Sequence, residues 1–482
     1  MTIGPDLTAG FTVLTRFGYG ARGGSPDLAL SASDPRGYLK SELENRGGAG
    51  GANPALSSSR DALNALFHER RRTLAAREQK MAEQAATAGD QITQNAAAKP
   101  AGTGTVDPAA QPPIPQQVFR SEALARFQQV AAAEIGFVER LVHFWSNHFA
   151  VSALKGGTVR ATVGSFEREA IRPHVLGRFS DMLRAAVQHP AMLAYLDNTR
   201  SFGPTSPAGR TRKQGLNENL AREILELHTL GVTGGYTQAD VKSLAQMLTG
   251  WTFPGADGRL GEPGVFTFFA RGHEPGEKTL LGKRYAESGI AQGEAALADL
   301  ARHSSTARHI ATKFARHFVA DEPPASLVER LTIVFERSEG DLKSLAIALV
   351  DAEEAWSASR TKLRSPHEYL MAAMRAVAHV PDNERPLLGP LLTMGMPLWQ
   401  PPGPNGWPDI SAAWLTPKGM KSRLDVASAI ADRLRDARHP RVLIDSCLGD
   451  VASAETRQSI ARAETRHQAL ALFLMAPEFQ WR

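Results

Sequence analysis

The stretch GLNENLAREILELHTLGVTGGYTQADVKSLAQMLTGW, Gly215 to Trp251, decides the fold class. It packs Glu218, Arg222, Glu223, Glu226 and His228 among leucines within about three turns at 3.6 residues per turn. A glycine-rich turn follows, and then a second helix. Thr237 caps that second helix, and Asp240 falls where a capping box places its acid. Helix, glycine turn and capped helix, with acids, bases and an imidazole beside so many leucines, read as a polar centre built into an apolar helical bundle.

The pattern on either side is also helical. Residues 9–16 give a short helix, and Ser33 or Asp34 with Pro35 opens another. Residues 119–151 form a long amphipathic run, followed by Phe166–Leu176 and Phe179–Gln188, and helices resume over 287–380 and after 416. The expected class is mostly α, a large irregular multi-helix domain of roughly 15 helices. Residues 252–285 change to Gly, Phe and Pro with short alternating runs, a small β-hairpin element or two. The helical domain is read as 1–46 with 117–482. Residues 47–116 are an insertion. Within it, 59–87 is one charged helix with a thin apolar stripe, expected at the surface, and 88–116 is an Ala/Gln/Pro-rich linker.

Bulk composition excludes several classes. With 55 basic and 50 acidic residues the net charge is +5, small for 482 residues, and no clustered basic stripe argues for nucleic acid. The run Arg70–Arg72 is flanked by Glu69 and Glu78 and reads as a solvated helix face. The single cysteine, Cys447, rules out an intramolecular disulfide and any site needing several thiolates, and it reads as a small buried hydrophobe. No window approaches the roughly 20 apolar residues of a membrane span. The first twenty residues lack a charged segment followed by an apolar one, so the expectation is a cytoplasmic protein without a secretory signal. There is no GxxxxGK[ST], GxSxG or CxxCH, which argues against phosphate-loop, serine-hydrolase and c-type haem chemistry.

Four segments carry candidate chemistry, each with a bland alternative. Glu139, His143 and Asn147 share one helix face, with His148 one position round. His143, His148 and the helix-terminal His228 are candidate ligands for a divalent metal, or half-buried polar groups that bond neighbouring helices. Glu218, Arg222 and Glu226 form a four-spaced ladder. Arg222 would hold one carboxylate ionised while Glu223 or Glu226 serves as acid or base; the alternative is a salt-bridge network. His273, Glu274 and Lys278 lie in a glycine-bounded loop, which suits binding better than packing; His273, as ligand or base, and Lys278 are candidate catalytic residues. Trp399, Asn405, Trp407, Trp414 and Asp409 lie in a Pro/Gly/Trp loop, with Arg423 expected to reach the same region. Its indoles can stack on a substrate or plug a bundle end. Three functions remain open. One is a hydrolase, metal-assisted or not, acting on a carbohydrate or another polymer. A second is a non-catalytic binding partner, and the last a haem or redox role.

Nine segments in combination resemble the bacterial domain of unknown function 1800 family: RFGYGAR (16–22), HFWSNHF (143–149), LDN (196–198), NENLAREILELHTLGVTGGYTQADV (217–241), LTGW (248–251), GHEPGEKTLLG (272–282), KLRSPHEYL (362–370), PPGPNGWP (401–408) and APEFQWR (476–482). The resemblance covers almost the whole chain outside 47–116. It implies His-Asp where this chain has His273-Glu274. It also implies a neighbouring sulfatase-like protein of the 1501 family as partner. That partner commonly carries a twin-arginine export signal, so the resemblance further implies a periplasmic location by co-export.

Overall fold

A computed structural model describes residues 6–44, 53, 55–90, 111–212, 215–357, 359–434 and 438–482. Among them it holds 24 α-helices and two small antiparallel sheets, so the chain is mostly α with a small hairpin element. The first sheet pairs β1 (Trp251–Thr252) with β2 (Thr267–Phe268). The second pairs β3 (Lys278–Leu280) with β4 (Lys283–Tyr285) across a two-residue turn. That turn has positive φ at both Leu281 and Gly282, the backbone a tight hairpin needs. A leucine is unusual there, and its amide is held by the Asp240 carboxylate at 2.7 Å. Asp240 also completes the capping box of helix Gln238–Met247, so one carboxylate fixes a helix start and a hairpin turn together.

Six helices position the polar centre described below: α1 (Ser59–Asp90), α2 (Ile114–Ala132), α3 (Phe137–His148), α4 (Gly157–Phe166), α5 (Ser304–Phe318) and α6 (Pro366–Ala376). The long amphipathic run over 119–151 is two helices. Gly136 breaks it with φ near +91°, which reverses the chain and lets α3 pack apart from α2. Arg375 on α6 covers the open end of α2, its guanidinium donating to the carbonyls of Val130, Ala133, Glu134 and Gly20. Those carbonyls have no partner inside the helix, so the buried cation replaces water there.

The opening turns of α1 join the core. Leu63 and Leu66 are buried with Phe67 against Ala161 of α4, and Ser59 bonds the Glu169 carboxylate. From Arg70 to Gln84 the helix is exposed, as its thin apolar stripe predicts. The expected linker at 88–116 falls largely outside the described residues.

Two apolar clusters form the interior. The larger is centred on Phe17, Trp145, Phe149, Phe179 and Phe314, and the second on Tyr369, Leu443, Phe473 and Phe479. Cys447 is buried in the second, and burial pushes its thiol up to about 12, which suits an inert hydrophobe. Three π-helical turns bury polar side chains: Val13–Phe17 buries Thr15 and Arg16, Glu167–Ile171 buries Glu167, and Ile224–His228 buries His228. A π turn inserts one residue into a helix and re-aims the side chains after it, and such turns gather at functional positions. Among the described residues no helix is long and apolar enough to cross a membrane.

Candidate functional site

The side chains that converge lie mostly on α2, α3, α4 and α6. Arg126 of α2 is the hub. Its Nε donates to Glu167 Oε1 at 2.6 Å, its Nη1 to His367 Nε2 at 2.5 Å and its Nη2 to His143 Nδ1 at 3.3 Å. An arginine only donates, so both imidazoles accept through the nitrogen facing it and are neutral. Their rings stack at 4.3 Å. Burial and the Arg126 charge hold both histidines well below the usual range, with His317 adding at His143 and His143 adding at His367. Glu167 also accepts from Ser146 Oγ at 2.6 Å and Trp399 Nε1 at 3.2 Å. Burial alone would raise its pKa. Arg126, Arg172 and the Ser146 hydroxyl outweigh burial and keep it ionised.

Three cavities run along this centre and share walls. The first, about 370 Å³, is lined by Glu122, Arg126, Glu167, Arg168, Arg172 and Trp399, with Asn53 and Leu56 at its edge. Arg126, Glu167 and Trp399 also line a second, narrow chamber of about 40 Å³ with His143, His367, Asn147 and Trp407. Asn147 and Trp407 in turn line a third of about 220 Å³ with His148, Lys313, Arg316, Asn405 and Asp409. The Pro/Gly/Trp loop roofs the series. It is clamped by Asn147, whose side-chain amide donates to Trp407 O at 3.0 Å and accepts from Trp407 N at 2.7 Å.

Glu122 and Glu167 face the same cavity with their pKa values shifted in opposite directions. Burial raises Glu122, helped by the nearby Glu167 charge and opposed by Arg168 at 2.7 Å. Close packing of α2 on α4 sets its position. A Cβ on Gly164 would lie 2.4 Å from the Glu122 Cβ. Gly164→Ala is therefore expected to cost about 1–3 kcal/mol through overpacking. Urea unfolding checks this, and an unchanged midpoint would show that α4 moves freely.

A second network lies behind the histidines. His317 Nδ1 donates to Asp409 Oδ2 at 2.8 Å, and its Nε2 accepts from Arg140. Lys362 holds Asp409 Oδ1 at 3.1 Å. Glu368 lies between Arg140 and Arg482.

The residues singled out in the sequence separate into groups. His143, Trp399 and Trp407 lie at the centre. His148 and His228 are neighbours, with rings 6.0 Å apart, but His143 turns instead to His367 and Arg126. Among the described residues no three of His, Cys, Asp and Glu are placed to hold a metal ion, so the set His143, His148 and His228 does not fit a divalent cation. Glu218, Arg222 and Glu226 form the ladder the spacing implies, at 3.2 and 3.4 Å, part-exposed and bridged by Gln238. Glu223 is half-buried beside them and raised by burial and by Glu226. His273 is fixed by the Thr249 carbonyl, Glu274 by Thr205, and Lys278 by the carbonyls of Pro275 and Gly276. These three hold a loop together. Glu274 binds the Thr205 amide and hydroxyl with both oxygens, which accounts for a glutamate at that position. Asn405 is exposed at the third cavity. Arg423 does not approach the Trp loop: it is buried against Tyr369 and bonds Gln480 and the Arg364 carbonyl.

Sequence reasoning missed Glu122, Arg126, Glu167, Lys313, His317 and His367. The last lies in KLRSPHEYL, a segment that carried the resemblance without being read for chemistry. That resemblance can now be compared with known proteins. Neither curated proteins nor solved structures give a match. The model of the family described as "Protein of unknown function (DUF1800)" matches residues 12–481, nearly the whole chain, and the protein belongs to that family.

Proposed function

We propose that the protein is a hydrolase acting on glycosides, with Glu122 and Glu167 as its working carboxylates. The observation that carries this is the pair itself: two carboxylates on one cavity, one raised by burial and one kept ionised by arginines. Opposed environments of this kind separate an acid from a fixed charge. Protonated Glu122 gives its proton to the leaving glycosidic oxygen as the C–O bond breaks. Ionised Glu167 stabilises the positive charge that develops on the sugar ring. Water then adds to the ring carbon and returns a proton to Glu122. His143 accepts from Arg126 through Nδ1, so its protonated Nε2 is available to a sugar hydroxyl. Trp399 supplies an aromatic wall. No step uses a metal.

The test is turnover of a panel of aryl glycosides and oligosaccharides. Glu167→Gln is expected to lower kcat/KM by about 100-fold or more. Glu122→Gln is expected to spare substrates with activated leaving groups and abolish the rest. Activity should fall as pH rises through the raised Glu122 pKa, and this limb should vanish in Glu122→Gln. Folded protein that turns over no glycoside, or variants that match wild type, would overturn the reading.

A further inference from the structure

The third cavity holds a cationic cluster that the hydrolytic reading does not use. Lys313 and Arg316 lie three residues apart on α5, on one face, and both line it. Among the described residues neither has a carboxylate within salt-bridge distance. Lys313 Nζ donates to His148 Nδ1 at 3.0 Å, and Arg316 Nε donates to the Asp321 carbonyl at 3.0 Å. His148 donates its other nitrogen to the His228 carbonyl, so its Nδ1 is a fixed acceptor and Lys313 is aimed by it.

The carboxylate that shares the cavity is only partly balanced, because Lys362 also pairs with Asp321 at 3.0 Å. Asp409 is held by His317 on one oxygen and by Lys362 on the other. Lys313 and Arg316 therefore face about 220 Å³ of space with Asp409 as their one nearby carboxylate among the described residues, an excess of positive charge. Phe144, Pro408 and Ile410 supply low-dielectric walls, and Asn405 stands exposed at the rim. A cation withdrawn from water without an anion is costly, and a bound anion relieves that cost.

We infer that this cavity is a binding site for an oxyanion: a carboxylate, sulfate or phosphate group, free or carried on a sugar. Lys313 and Arg316 supply the charge, and arginine also supplies a planar donor fork. The site stands independently of glycoside hydrolysis. It adjoins the histidine chamber through Asn147 and Trp407, which places an acid group of a sugar next to the proposed hydrolytic cavity.

The experiment is calorimetric titration of wild type, Lys313→Met and Arg316→Gln with glucuronate, glucose, inorganic sulfate and inorganic phosphate. At least one anion is expected to bind at one site per chain, and glucose is expected not to compete with it. Binding should weaken ten-fold or more in each variant. Tighter binding of glucuronate than of the inorganic ions identifies an anion borne on a sugar, and the reverse identifies a free ion. Arg316 is part-exposed, so its variant keeps the test meaningful if Lys313→Met unfolds. If no anion binds wild type, or both variants bind as wild type does, the proposal is wrong. Neither outcome depends on turnover, so it leaves the hydrolase reading to its own test.

Discussion

Glu368→Gln is expected to lower unfolding stability by about 3–5 kcal/mol, the cost of breaking a buried ion pair by removing one partner. Glu368 is 3% exposed. Its Oε1 accepts from Arg140 Nη2 at 2.7 Å and from Arg482 Nη2 at 2.8 Å, and its Oε2 accepts from the Ser365 amide at 2.7 Å. Burial would raise this carboxyl, but the two guanidiniums hold it far below the usual carboxylate range. Glutamine keeps the shape and removes the charge. Two arginines would then stay buried with their shared anion gone, and both are almost fully covered. The same substitution at Glu226, on the part-exposed ladder, is expected to change stability by about 0.5 kcal/mol or less. Urea unfolding of the two variants makes the comparison. A loss below about 1 kcal/mol for Glu368→Gln would mean that water reaches the arginines and replaces the carboxylate.

The contrast between these two glutamates explains what the sequence could show. The Glu218–Arg222–Glu226 ladder, the Thr237–Asp240 capping box and the β3–β4 hairpin are built from residues a few positions apart. Helical and strand periodicity reports such neighbours directly. The mostly α class follows from the same local signals. The polar centre is not local. Arg126 meets Glu167 across 41 positions and His367 across 241. Nothing in the spacing of α2 marks Arg126 as buried. Its one apparent cue, an arginine on an amphipathic helix, is shared with many solvated residues. The π turns at Glu167 and His228 were equally hidden, because they shift the face of a side chain without changing its apolar pattern. Glu223 and Glu226 drew attention because charge density is visible in a sequence, whereas burial is not.

His228 supplies the second large effect, a loss of stability in acid. The ring is fully buried, and among the described residues neither nitrogen has a hydrogen-bond partner. Burial, with the Lys313 charge and His309 nearby, lowers its pKa to about 3. His148, beside it, is also held well below the usual range by burial and Lys313. An unfolded histidine titrates near 6.5. Below that pH the unfolded chain takes up a proton that the folded chain refuses. The stability is thus present above pH 6.5 and is lost as pH falls toward 3. At pH 5 His228 alone is expected to cost about 2 kcal/mol relative to pH 8, at 1.36 kcal/mol per pKa unit. His309, lowered to about 4 by burial and Lys313, adds to the same slope. His228→Leu removes the titrating ring and two unsatisfied polar atoms. It should flatten the acid limb and leave stability at pH 8 equal or higher, because an apolar side chain leaves no orphaned donor. Urea midpoints of wild type and variant at pH 5 and pH 8 decide it. If the variant loses stability at pH 8 and keeps the wild-type acid slope, the ring is satisfied in solution and the acid sensitivity arises elsewhere.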